Sequence, residues 1–139
     1  MTDFSAVANE VFETLRSYDY TVLLYDEVGN RVEDPTEASR MFARPENLMV
    51  GLVDEGEDST IRLFIGKSTT VDSVMGLIQT LRTVATKFNL LFNVKQYGKE
   101  ISIKDFASGN MLEAIKRDAN TLTETIMDRV MSQMRRPTK

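Results

Sequence analysis

Residues 47–65 read NLMVGLVDEGEDSTIRLFI, and this stretch decides the fold. Its two apolar runs, Asn47–Val53 and Thr60–Ile65, are of strand length and rich in branched side chains. Between them Asp54–Ser59 is acidic, polar and holds Gly56, which is the composition of a hairpin loop. The pattern predicts two adjacent antiparallel strands. Just downstream the period changes. Val71, Val74, Met75, Ile78, Leu81, Val84 and Phe88 share one face of a helix over about 70–88. Thr69 is placed to cap that helix, with Asp72 three residues on, and Asn89 suits a left-handed stop. LLFNVKQY at 90–97 then reads as another strand.

Upstream, Phe4, Val7, Val11, Leu15 and Tyr18 recur at helical spacing, so 3–18 is an amphipathic helix capped by Thr2 or Asp3. YTVLLYD at 20–26 is a buried strand, followed by a turn at 27–30. Asp34-Pro35-Thr36-Glu37 has the signature of a helix start, which predicts a short helix ending near Ala43, because Pro45 restricts Arg44. Downstream, 98–100 is a turn, 101–106 fits neither period, and a long helix runs from about Gly109 to Arg136. The expected fold is α+β: a small mixed sheet of about four strands packed with helices, plus a long C-terminal helix. Residues 1–108 form the domain. Residues 109–139 form an amphipathic helix with a basic tail, packed on the domain, oligomerising, or both. No internal repeat is visible.

Composition removes several chemistries. The chain has no Cys and no His, so it can build no disulfide, no thiolate nucleophile and no Ser–His or Cys–His catalytic pair. Zinc loses both of its usual ligands, and no cofactor is expected. An enzyme would have to work through carboxylates, Lys, Tyr or a hard metal. No apolar run is long enough to span a bilayer, and Met1-Thr2-Asp3-Phe4 lacks a signal-peptide plan, so an intracellular, non-membrane protein is expected.

The charge is divided. Residues 1–58 net −10 and residues 59–139 net +6, which together give the overall −4. Such asymmetry concerns partners and association. Local structure accounts for many of the acids: Asp26-Glu27 and Glu33-Asp34 read as turn and cap residues, and the Asp54–Asp58 run lacks the ligand spacing of a calcium loop.

The bases sit elsewhere. Alternation places Arg62 and Phe64 on one face of their strand, and Lys95 and Tyr97 on one face of theirs. With Lys67, Arg82, Lys87, Lys99 and Lys104 they make a basic-aromatic set that would suit single-stranded DNA or RNA, cations to phosphate and rings to bases. The competing reading has a helix covering that face, with the rings as core and the cations snorkelling.

Gly66-Lys67-Ser68-Thr69 resembles the end of a P-loop, but the Gly required five residues earlier is Ile61. Leu63-Phe64-Ile65-Gly66 resembles one strand of an RNA-recognition motif whose partner motif is absent.

In the terminal segment Leu112, Ile115, Ala119, Leu122 and Ile126 alternate spacings of three and four, the seam of a coiled coil. The register drifts at Arg129, and Met127, Val130 and Met134 continue the stripe. Methionines adapt to varied surfaces, so Leu112, Ile115, Leu122, Ile126, Met127, Val130 and Met134 form a candidate oligomer interface.

Several phrases carry a resemblance: Tyr25-Asp26-Glu27 with Gly29-Asn30-Arg31, Arg44-Pro45-Glu46-Asn47-Leu48-Met49-Val50, Leu81-Arg82-Thr83 with Ala85-Thr86-Lys87-Phe88-Asn89, Phe92-Asn93-Val94 with Tyr97-Gly98-Lys99, and Lys104-Asp105-Phe106. Over roughly 20–107 the chain resembles uncharacterised small proteins of large tailed bacteriophages, marine ones especially. The group brings no activity, cofactor or catalytic residue. It implies a viral protein of the host cytoplasm or virion. The expectation is a non-enzymatic assembly component, structural or virion-associated, that self-associates or binds other phage proteins. The alternative is a nucleic-acid-binding protein using the surface of residues 62–104.

Overall fold

A computed structural model describes residues 4–54 and 59–104. Helix α1 (Phe4–Ser17) is followed by strand β1 (Thr21–Tyr25), a two-residue strand β2 (Arg31–Val32) and a 3-10 turn at Pro35–Glu37. Strands β3 (Arg40–Arg44), β4 (Leu48–Val53) and β5 (Thr60–Ile65) come next, then helix α2 (Met75–Lys87), preceded by a 3-10 turn at Asp72–Val74, and strand β6 (Leu91–Gln96). The architecture is α+β, with a mixed sheet of six strands in the order β2-β1-β3-β4-β5-β6. Every pair is antiparallel except β5 and β6, which run parallel and are joined by α2. Thr2, Asp3, the 55–58 tip and everything from 105 onward, including the predicted terminal helix, lie outside the described residues.

The hairpin at 47–65 forms as expected, with Leu48 opposite Ile65 and Val53 opposite Thr60. The sheet has six strands instead of four because the short helix expected at 35–43 is largely a strand. Asp34 does cap a turn: its carboxylate accepts from the Thr36 amide and hydroxyl, which hold the Asp34 pKa below the ordinary value. The turn stops after Glu37, and Arg40–Arg44 enters the sheet between β1 and β4. A central strand buried on both faces reads as a continuous apolar run, which periodicity cannot distinguish from a short helix.

Helix α2 also begins later than expected. The hydroxyl accepting the Ser73 amide belongs to Thr70, not Thr69.

Both helices lie on one face of the sheet. Val7, Val11 and Leu15 of α1 and Leu77, Ile78 and Leu81 of α2 share a core with Leu24, Met41, Leu48, Val50, Ile61, Leu63 and Val94. The helices run antiparallel: Lys87 Nζ meets Glu10 at 2.7 Å, and Tyr18 Oη lies 2.8 Å from Thr80 Oγ1.

A repeat emerges that the sequence does not display. Buried Val7, Ala8, Val11, Thr14 and Leu15 of α1 correspond, seventy residues on, to buried Leu77, Ile78, Leu81, Val84 and Ala85 of α2. Each helix ends on a left-handed residue, Asp19 (φ 65) and Asn89 (φ 60). Each closes with the same long bond, Tyr20 N to Leu15 O (3.3 Å) and Leu90 N to Ala85 O (2.8 Å). Both are Schellman-type stops, and they turn the chain into β1 and β6. No residue is identical between 4–25 and 74–95.

Asp and Asn tolerate this conformation because their short side chains bond locally, whereas a β-branched residue there is strained. Asn89→Val is expected to lower stability by about 1–2 kcal/mol, and Asn89→Gly to be neutral or stabilising, in urea unfolding. The same ordering is expected at Asp19.

Candidate interaction surface

Alternation divides every strand between two faces. Tyr25, Phe42, Met49, Val53 and Phe64 pack together on the face opposite the helices, joined by Ile101 and flanked by Leu23 and Tyr97. Phe42, Met49 and Phe64 of this cluster stand in one cross-strand row with Lys95. The neighbouring row is Tyr25, Arg40, Gly51, Arg62 and Asn93. Gly51 therefore stands between two arginines in this row.

The expected sharing of a face by Arg62, Phe64, Lys95 and Tyr97 is what the register produces. Lys95 Nζ lies 5.6 Å from the Phe64 ring centre, and the Phe64 and Tyr97 rings are 5.3 Å apart. The face is not open, however: Phe64 is 0% exposed, Arg62 7% and Lys95 8%. Arg40, which sequence reasoning did not single out, is equally buried and donates to the Glu27 carbonyl. It lies within the stretch whose cap signature predicts a helix, for which strand alternation is not the expected pattern.

The remaining candidate bases are scattered. Lys87 is mostly exposed and paired with Glu10 on the helix side, and Arg82 is half-buried on the same helix. Lys67, Lys99 and Lys104 are exposed. Lys67 and Lys99 are neighbours, the Lys67 amide donating to the Lys99 carbonyl at 3.2 Å, and Lys99 Nζ lies 5.7 Å from the Tyr97 ring centre. The candidate interface residues Leu112, Ile115, Leu122, Ile126, Met127, Val130 and Met134 lie outside the described residues.

The P-loop-like stretch has a structural role. Asn47, in the turn between β3 and β4, acts like a piece of strand: its Nδ2 donates to the Ile101 carbonyl (3.2 Å) and its Oδ1 accepts the Ile101 amide (2.7 Å). Its own carbonyl accepts the Gly66 amide at 2.7 Å. A Cβ at position 66 would overlap the Asn47 carboxamide, so glycine is required there by close approach. The Ser68 amide and hydroxyl both donate to the Glu100 carboxylate, at 2.7 and 2.8 Å. Gln96 Nε2 donates to the carbonyls of Gly66 and Thr69. The loop's polar groups thus bind Asn47, Lys99, Glu100 and Gln96, in an arrangement unlike a phosphate cradle.

The carboxylates are similarly engaged. Asp26 accepts the Val28 and Asn30 amides in its turn, and Asp54 accepts the Ser59 hydroxyl. A cleft of about 530 Å³ lies beside Phe4, Glu37, Arg40 and Asp54. No group of three or more metal-ligating side chains is found among the described residues. Among these residues no helix is long and apolar enough to cross a membrane.

Asn47→Ala removes two hydrogen bonds and is expected to cost about 2 kcal/mol. Gly66→Ala should cost more, because the carboxamide must be displaced. The double variant should cost less than the sum, since removing the carboxamide relieves the overlap, and a double-mutant cycle from urea midpoints reads this directly.

No family model, curated protein or solved structure matches this chain.

Proposed function

We propose that this is a non-enzymatic bacteriophage assembly protein, a structural or virion-associated component that works by self-association. One observation carries the reading: Leu112, Ile115, Leu122, Ile126, Met127, Val130 and Met134 recur at the spacing of a coiled-coil seam and its continuation, and methionines adapt to a partner's surface. The engagement of Asp26, Asp34, Asp54 and Glu100 in turns, caps and cross-links gives these carboxylates structural work, which supports a non-catalytic role. The viral context rests on the resemblance over 20–107.

On this reading light scattering shows an oligomer, and truncation after Asp118 reduces it to a monomer. An unchanged mass on truncation rejects the role of the distal stripe, and a monomeric full-length chain rejects the reading itself.

A second reading, nucleic-acid binding, is favoured by the adjacency of exposed Lys67 and Lys99 beside the half-buried Tyr97 ring. It predicts that a labelled single-stranded oligonucleotide binds with steep salt dependence. Lys67→Glu with Lys99→Glu should then abolish binding. Buried Lys95 is a poorer phosphate contact than exposed Lys67 and Lys99.

A further inference from the structure

Strand β6 ends the sheet on one side, and no strand lies beyond it among the described residues. We infer that this edge pairs antiparallel with the β6 of a second copy, about a two-fold axis at Val94, so that two sheets join into one. The inference rests on the self-association reading and names one of its contacts.

The first observation is the contrast between the two edges. Leu91–Gln96 is six residues long, holds no Pro or Gly, and pairs with β5 through six successive residues without a bulge. The devices that shorten or bend an edge strand are missing from it. The other edge is blunted: β2 has two residues and runs directly into Glu33-Asp34-Pro35. A long edge and a blunted one cannot pair head to tail over any length. The long edge therefore meets its own kind, which is a closed two-fold contact.

The second observation is the direction of the backbone. The Leu91 and Tyr97 amides donate to the Ser59 and Ile65 carbonyls, at 3.0 and 2.7 Å. Alternation then aims the amides and carbonyls of Leu91, Asn93, Lys95 and Tyr97 at β5, and those of Phe92, Val94 and Gln96 outward. The registers that pair most of the strand with itself centre on Asn93, Val94 or Lys95.

The third observation selects among them. Centring on Lys95 sets two buried lysines directly opposite each other, which is destabilising. Centring on Asn93 sets Tyr97 opposite Asn89, the left-handed residue outside the strand. Centring on Val94 sets Asn93 opposite the partner's Lys95 and Leu91 opposite the partner's Tyr97. Leu91 is 52% exposed, and this register covers it with a half-buried ring, an aliphatic–aromatic cross-strand pair. One strand pair buries less than the roughly 1,200 Å² of a stable interface. It forms inside the assembly, where association through the terminal stripe raises its effective concentration.

The test follows amide hydrogen exchange of the full chain, residue by residue, above and below its association midpoint. The Phe92, Val94 and Gln96 amides should slow by about tenfold or more on association, while the Asn93 and Lys95 amides, bound to β5, stay protected throughout. Light scattering on the same samples separates this inference from the assembly proposal. An oligomer in which the three outward amides exchange as fast as in the monomer overturns the inference and leaves self-association standing. A chain that stays monomeric overturns both. Protection of the three amides at every concentration would make another part of the same chain the occupant and also overturn it. The register is read separately. The chain has no cysteine, so Leu91→Cys with Tyr97→Cys should give a disulfide-linked dimer, and Leu91→Cys alone should not. Equal crosslinking of the two variants would overturn the axis at Val94.

Discussion

The Asn47 carboxamide holds together parts of the chain that the sheet alone would leave apart. Its two hydrogen bonds to Ile101 bring the stretch after β6 back to the turn between β3 and β4, which lie three and two places from β6 in the sheet order. Gly66 gives way to it, Thr69 Oγ1 accepts its amide, and Ser68 fastens Glu100 beside it. A two-bond side-chain clamp of this kind is worth only about 2 kcal/mol, yet it decides direction. It turns the chain from the helix side, where α2 lies, to the aromatic side, where Ile101 is buried.

Much of this was legible. The switch of period at 47–88 yields the hairpin and α2, and the apolar spacing at 4–18 yields α1, because each element buries one face and exposes the other. What failed was the reading of elements with no such contrast. In β3 Met41 and Ala43 are buried on one side while Arg40 and Phe42 are buried on the other, so no alternation remains. A genuine Asp34–Pro35 cap then pulled the reading toward helix, although it caps only a turn of 3-10 helix. β2, with two residues, is too short to carry any period.

The hidden repeat has the same cause. What α1–β1 and α2–β6 share is burial and a left-handed stop, and many residues satisfy both demands. Val7 becomes Leu77, Asp19 becomes Asn89, and Thr14 becomes Val84, because a buried hydroxyl that donates to the Glu10 carbonyl can occupy a position an apolar side chain also fills. Comparing letters finds nothing where comparing physical roles finds a unit. The basic-aromatic set shows the complementary limit. Alternation correctly placed Arg62 with Phe64 and Lys95 with Tyr97, since a strand's period is fixed by its backbone. Exposure depends on what lies above the sheet, which strand periodicity does not encode.

The division of charge acquires a different meaning once the sheet is drawn. By sequence the chain is an acidic half followed by a basic one. In the fold, Arg40 from the acidic half stands in the same cross-strand row as Arg62 from the basic half, with Gly51 between them, and Lys95 stands in the row beside it. The acids of the first half are largely consumed locally: Asp26 in its turn, Asp34 in its cap, Glu10 in a pair with Lys87. Charge along the chain is thus a poor guide to charge in space. Three of the cations, Arg40, Arg62 and Lys95, are carried inside the fold beside a hydrophobic cluster, where Arg40 donates to the Glu27 carbonyl and Lys95 lies over the Phe64 ring. A polyanion could reach these cations only by unpacking the rings around them.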